Sequence, residues 1–302
     1  MTKSQSVMGI VASLIISTLI IFAGSQESVT LFLLATPVVT EGLPLFAVCA
    51  PIGFILHWIA FLPSYTLKTD HYFDLTGSIS YIATVIAVAM LSPSLDLRDL
   101  IICSMIIIWA TRLGLFLFTR IKQDGKDVRL EIYTNVIKTK FIRFLNLWTM
   151  GGLWVLVTIG AGLAALTSKT SIELGVIGYI GIGLWLFGFI VEVVADSQKR
   201  QFKKDPANKN RFITTGIWSW SQHPNYFGEI TLWLGVAVLA YPVLSGWQLA
   251  TLISPIFVYL LLTKVSGIPL LDDLAKQKWG SDLDYLTYTQ TTSKLILVPP
   301  NR

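Results

Sequence analysis

The sequence predicts an all-α fold, a polytopic membrane helical bundle of about seven or eight transmembrane helices with a cytoplasmic N-terminus. Three observations carry that reading. Of 302 residues, 53% are hydrophobic and only 14% are charged, and the mean hydropathy is +0.65, a balance that a water-facing surface cannot sustain. Eight stretches come near the roughly 20 apolar residues that span hydrocarbon: 7–24, 44–62, 77–93, 99–118, 148–168, 174–195, 227–241 and 246–263. The Lys and Arg residues collect in alternate loops, as the preference of short basic loops for the cytoplasm requires.

Taken in order, Lys3 followed by the apolar run Val7–Phe22 and Ala23-Gly24-Ser25 imitates a signal peptide, but it reads better as a retained first span. Residues 29–62 are too long for one straight span and are broken by Glu41-Gly42 and Pro44. The expectation there is a tilted or re-entrant entry followed by one helix. With 29–62 crossing once, three basic segments fall on one side: Arg120 to Arg143, Lys199 to Arg211, and Lys264 with Lys276 and Lys278. Lys3 and Lys68 join them, while Glu27 and the Asp96-Arg98-Asp99 turn lie opposite. The protein is therefore expected in a membrane as a multi-pass chain, the inner or plasma membrane if the source is bacterial.

The net charge of +5 is explained by basic loops that hold topology and meet anionic headgroups. No basic stripe with interleaved aromatics suggests a nucleic-acid partner. Cys49 and Cys103 lie inside apolar spans and read as small core residues. His57, His71 and His223 are too few and too scattered for a metal site. No repeat and no glycine-rich phosphate loop is present.

Ionisable groups in hydrocarbon cost at least about 2.5–3.5 kcal/mol and therefore mark candidate sites. Glu192 and Asp196, at i and i+4 in the last turns of the sixth span, share a helical face. The segment Arg211 to Glu229 reads as loop, turn and helix start. His223-Pro224 sets an extended residue before a helix-opening proline, which puts Asn225 and Glu229 one turn apart on one face. A helix N-terminus with Arg211 and His223 nearby suits a phosphate. Asn225 could instead act only as a cap, but Glu229 enters an apolar span and must find a partner. Arg112 in the fourth span suits a buried anion, and Arg120 near its end suits snorkelling. Asp74 either caps the third span or, if buried, serves as a proton donor.

These residues carry a resemblance. The stretch Gly188 to Glu229 centred on His223-Pro224-Asn225-Tyr226-Phe227-Gly228-Glu229 resembles the C-terminal half of the steroid 5-alpha-reductase family, with its bacterial membrane branch nearest. The likeness extends through Trp109-Ala110-Thr111-Arg112, Ser266-Gly267-Ile268-Pro269 and Tyr285 to Pro299. It divides the chain into N-terminal transmembrane segments over 1–70, which match poorly, and a family domain over 71–302.

The resemblance implies a seven-helix-type membrane fold with a cytosol-facing cavity for NADPH. Hydride passes to an enone carbon of a lipophilic small-molecule or membrane-lipid substrate while an acid polarises the carbonyl. It implies cofactor contacts at Asp196, Arg211, Asn225 and Glu229, with Arg112 and Lys264 on the cofactor side. Arg120, Glu192, His223 and Tyr226 complete the expected cofactor set. Two departures matter: Glu192 stands where the steroid reductases carry asparagine, and Trp109 where they carry the carbonyl-binding tyrosine. Trp donates one N–H and cannot relay a proton as phenol does, so either another acid acts or the substrate is not a steroid enone; the resemblance puts Asp74 near the family's other carbonyl-side acid, by an ungapped count back from Arg112, with Tyr72 as a second possibility.

The His-Pro-x-Tyr-x-Gly pattern also resembles the isoprenylcysteine and phospholipid methyltransferases, which bind S-adenosylmethionine. Those generally open on Arg-His-Pro and carry a Glu-Glu pair after the last span; this chain has Gln222-His223-Pro224 and Asp272-Asp273. A third reading, a non-enzymatic lipid-binding or transport protein, calls for inverted repeats or several unpaired mid-span charges.

Overall fold

The computed structural model describes residues 2–31, 42–124, 134 and 136–300, with side chains at these positions except 120–124. The described residues are mostly helical, and eight helical segments are long and apolar enough to cross a membrane. The chain divides into two compact units, the first comprising Met1–Tyr179 and Val236–Ser254, the second Ile180–Gly235 and Pro255–Arg302.

In the first unit, α1 (Lys3–Ser25), α3 (Ile52–Thr66), α4 (Phe73–Leu91) and α5 (Leu97–Asp124) pack against α6 (Phe141–Leu166), and the short α2 (Leu45–Cys49) packs on α1 and α4. α6 is the buried centre, with 89% of its most apolar stretch covered by protein. Its small residues explain why: Gly152 lies so close to α3 that a Cβ would fall 3.0 Å from the Phe54 Cα, the close approach on which helix packing in lipid relies. Two buried hydroxyls of α4 are satisfied by its own backbone, as lipid favours: Ser80 donates to the Thr76 carbonyl at 2.7 Å and Thr84 to that of Ser80 at 2.8 Å.

Before the second span, β1 (Thr30–Leu31) pairs antiparallel with β2 (Leu43–Pro44). Both ends return to the C-terminal end of α6, where the Val29 N–H donates to the Thr167 carbonyl and Leu45 N–H to that of Val29. Glu41 and the rest of 32–41 lie outside the described residues, as does most of the basic loop 125–133.

Arg98, in the first turn of α5, is 2% exposed. Its guanidinium donates to the carbonyls of Leu239 (2.7 Å), Glu173 (3.1 Å) and Ile172 (3.3 Å). From the sequence it is expected only in a turn on the side opposite the basic loops. The tertiary fold buries it against the Leu239 carbonyl, in the last turn of the helix Pro224–Ala240 where a cation is favourable, and against two carbonyls of the loop at 172–173.

The second unit contains most of α7 (Val176–Lys204), α8 (Pro224–Ala240) as far as Gly235, α9 (Ser254–Leu260) from Pro255 onward, α10 (Ile268–Trp279) and α11 (Leu283–Thr291). α7 runs nine residues past the apolar stretch that predicted it, because the polar residues Asp196 to Lys204 continue the helix. The eighth stretch is not one α-helix: 3-10 geometry over Gly246–Ile253 passes through α9 to a π-type turn at Leu261–Val265. Hydrophobicity marks what hydrocarbon can contain and does not specify which helical hydrogen-bond pattern fills it.

Candidate functional site

The site is built where α7 and α8 cross, inside the second unit. A Cβ on Gly188 would lie 2.5 Å from both the Gly228 carbonyl oxygen and the Leu232 nitrogen; one on Gly228 would lie 2.6 Å from the Gly188 oxygen and 2.7 Å from the Glu192 nitrogen. Gly235 approaches Gly181 and Trp185 in the same way, at 2.7 and 2.5 Å. Glycines seven residues apart on each helix thus bring the two backbones together, and the polar residues beside them follow.

At the cytoplasmic end predicted for these helices, Asn225 Nδ2 donates to Asp196 Oδ1 at 3.3 Å. Glu192, Asp196 and Glu229 are 2%, 7% and 8% exposed. The helix continues to Lys204, so Asp196 lies about two turns and Glu192 about three turns before its end, not in its last turns as expected from the sequence, and both are buried. Asn225 is the second residue of α8, past the N-cap position, and its amide donates to Asp196.

Local structure explains how the loop delivers α8. Gly216 has φ +64°, and a Cβ there would meet the Gln198 side chain at 2.3 Å; glycine alone combines that conformation with that approach. Gln198 Oε1 then accepts the Ile217 N–H at 3.0 Å, and Trp218 Nε1 donates to the Ala195 carbonyl at 3.0 Å. Lys199 places its ammonium 4.5 Å from the Trp218 ring centroid, a cation–π contact. Ala195, Ile213 and Trp218 pack as one cluster, so the loop is fastened to the turn of α7 that carries Asp196.

His223 immediately precedes α8, its carbonyl accepting the Phe227 N–H at 3.1 Å. Its ring stacks on Tyr226 at 5.7 Å and 10°, and its Nε2 lies 3.7 Å from Asp272 Oδ1 of α10. Burial lowers the imidazole pKa, with the Lys294 and Lys199 cations acting in the same direction and Asp272 opposing. His223 is therefore neutral near pH 7.

Of the other expected cofactor residues, Arg211 is exposed, and its backbone N–H closes a turn onto the Asn208 carbonyl. Lys264 is exposed on the π-type turn. Arg112 belongs to the first unit, with its guanidinium 5.2 Å from the Phe116 ring centroid. The side chain of Arg120 lies outside the described residues.

The expected acids are also in the first unit. Tyr72 is 48% exposed and occupies the N-cap of α4, with no side-chain capping bond. Asp74 is therefore not the cap but a half-buried member of the first turn. Trp109 is 1% exposed and meets Tyr81 edge-on at 5.2 Å. Sequence reasoning missed Tyr81, although it stands two turns after Asp74 on the same face of α4. Among the described residues no three His, Cys, Asp or Glu side chains assemble as a metal would require.

The family described as "Protein of unknown function (DUF1295)" matches residues 60–292, more than three quarters of the chain. The protein belongs to it. DUF1295 proteins form the steroid 5-alpha-reductase-like family, and with eight apolar spans this member is a multi-pass integral membrane protein. Among curated proteins, the chain is 32% identical to a probable O-methyltransferase, ustE of Ustilaginoidea virens, over 30% of its own length and 32% of the relative's. It is 29% identical to 3-oxo-5-alpha-steroid 4-dehydrogenase 1 of Bos taurus, over 23% and 27%. It is 33% identical to that of Homo sapiens, over 21% and 25%. The DUF1295 chain thus aligns with about a quarter to a third of the length of these relatives. No solved structure matches.

Proposed function

We propose that this DUF1295 protein is a membrane-embedded, NADPH-dependent reductase of a C=C bond in a lipophilic enone, steroid-like or another lipid. The observation that carries the reading is the Asn225–Asp196 pair, set beside buried Glu192 and Glu229 at the opening of α8. Carboxylate and amide groups in a row match the hydroxyls and carboxamide of a dinucleotide. A neutral imidazole and the first N–H groups of α8 offer donors to its phosphates. Lys199, Arg211 and Lys264 supply cations in the same unit. When bound, NADPH supplies the hydride.

The protein's own residues bind, orient and protonate. Asp196 fixes the Asn225 amide, which leaves the remaining amide groups a set direction. On the substrate side Asp74 is the proposed carbonyl-side acid, with Tyr72 or Tyr81 as the phenol that Trp109 does not provide. The relatives named as steroid dehydrogenases support the reductase class.

A second reading, an S-adenosylmethionine-dependent methyltransferase, draws on the ustE match and on Asp272 standing 3.7 Å from His223. Buried carboxylates suit a sulfonium and an ammonium as well as they suit ribose. Direct titration of the purified protein in detergent separates the two. Binding of NADPH with no binding of S-adenosylmethionine supports the reductase; the reverse overturns it. Glu229→Ala is expected to weaken the bound ligand by about 1–3 kcal/mol, and an unchanged affinity would assign Glu229 to packing.

A further inference from the structure

The segment after α11 is pinned to the residues that lead into α8. Ser221 Oγ donates to the Leu295 carbonyl at 2.8 Å while accepting the His223 N–H at 3.1 Å. Gln222 N–H donates to the Ser293 carbonyl at 2.8 Å, and its Nε2 to those of Thr292 and Thr289 at 2.7 and 3.0 Å. Val298 N–H closes the strap on the Trp220 carbonyl at 3.1 Å, and the Tyr288 hydroxyl donates to that of Trp218 at 2.7 Å. Within the strap Lys294 places Nζ 2.6 Å from Asp272 Oδ1 and 3.2 Å from Gln222 Oε1.

Asp272 Oδ1 is also the carboxylate atom facing His223 Nε2. At 3.7 Å the imidazole nitrogen is in electrostatic reach but not hydrogen bonded. His223 is 7% exposed, and its Nε2 has no hydrogen-bond partner among the described residues. A buried ring nitrogen left in that state is costly, unless something binds there or the carboxylate moves in.

We propose that the C-terminal strap completes the ligand seat: Lys294 and Asp272 are positioning residues that hold the His223 ring against Tyr226 and orient its nitrogens at the N-terminus of α8. Lys294 neutralises Asp272, so the carboxylate faces the imidazole without extracting a proton onto it. Gln222, shared between Lys294 and two strap carbonyls, keeps the register. The charged and titratable groups facing His223 are then Asp272 from α10, Lys294 from the strap, Lys199 from α7 and Tyr226 from α8. This rests on a ligand meeting the start of α8, whichever of the two proposed cofactors it is.

With His57 and His71 the sole other histidines, NMR of histidine-labelled full-length protein in detergent, assigned with His223→Gln, reads the ring directly. Lys294→Met is expected to move the His223 titration to higher pH and Asp272→Asn to move it to lower pH. Both are expected to weaken the cofactor that the wild-type protein binds, NADPH or S-adenosylmethionine, by about tenfold, with Lys294→Arg restoring affinity. An unmoved titration in the two variants, or unchanged affinity with a moved titration, overturns the positioning role. Should wild-type protein bind neither cofactor, the function proposed above fails, and the titration still decides between coupling and coincidence.

Discussion

Gly228 rests on the backbone of Glu192, so close that a Cβ would stand 2.7 Å from the Glu192 nitrogen and 3.0 Å from its Cα. That contact sets the spacing of the whole site, since Asn225 and Glu229 flank Gly228 on one helix and Asp196 follows Glu192 by one turn on the other. The obstacle is backbone on both sides, which cannot rotate away as a side-chain tip can.

Gly228→Ala is therefore expected to push α7 and α8 apart. Overpacking of this kind costs about 1–3 kcal/mol, and the Asn225–Asp196 bond, already 3.3 Å long, is expected to break. Thermal unfolding in detergent together with cofactor titration checks this; a variant with wild-type melting temperature and affinity would show that the crossing tolerates a methyl group.

Stability is expected to fall on mild acidification. A histidine in the unfolded chain titrates near 6.5, while burial lowers His223 below that in the fold. As pH falls the unfolded chain takes up this proton first, so the contribution is complete above about 6.5 and is lost as pH drops through the folded-state value. Melting temperatures measured between neutral and mildly acidic pH are expected to decline, and more shallowly in His223→Gln. Parallel curves for the two proteins would remove His223 from the effect.

Arg98→Met is expected to destabilise the first unit. It strips a cationic donor from three carbonyls at once, and hydrogen bonds involving a charged group contribute about 1.5–3 kcal/mol each. Methionine fills the volume but bonds none of them. Chemical or thermal denaturation showing no loss would mean that water replaces the guanidinium.

The acid of the proposed reduction is tested separately. Asp74→Asn is expected to lower turnover of an enone by about 10²–10⁴ while NADPH affinity holds, because Asp74 lies outside the second unit. Tyr81→Phe and Tyr72→Phe, measured beside it, assign the phenol: the variant that keeps full turnover is excused from the chemistry.

The sequence alone determined the membrane class, the positions of the spans and the polar residues worth attention. Each depends on composition over a window or on spacing along one helix. A hydrocarbon core demands long apolar runs, and a turn of 3.6 residues puts Glu192 with Asp196 and Asn225 with Glu229 wherever the helices go. The start of α8 at Pro224 was equally local, since proline constrains both itself and His223.

Only the tertiary structure decided which of those faces meet. Nothing local ties Asn225 to Asp196, residues 29 positions apart; the glycine crossing does, and it depends on two helices presenting bare backbone at matching heights. The same holds for Asp272 and Lys294 around His223, for Arg98 over the end of α8, and for Tyr81 against Trp109. Electrostatics and close packing act through space, so partners distant in the chain stay hidden until the fold brings them together.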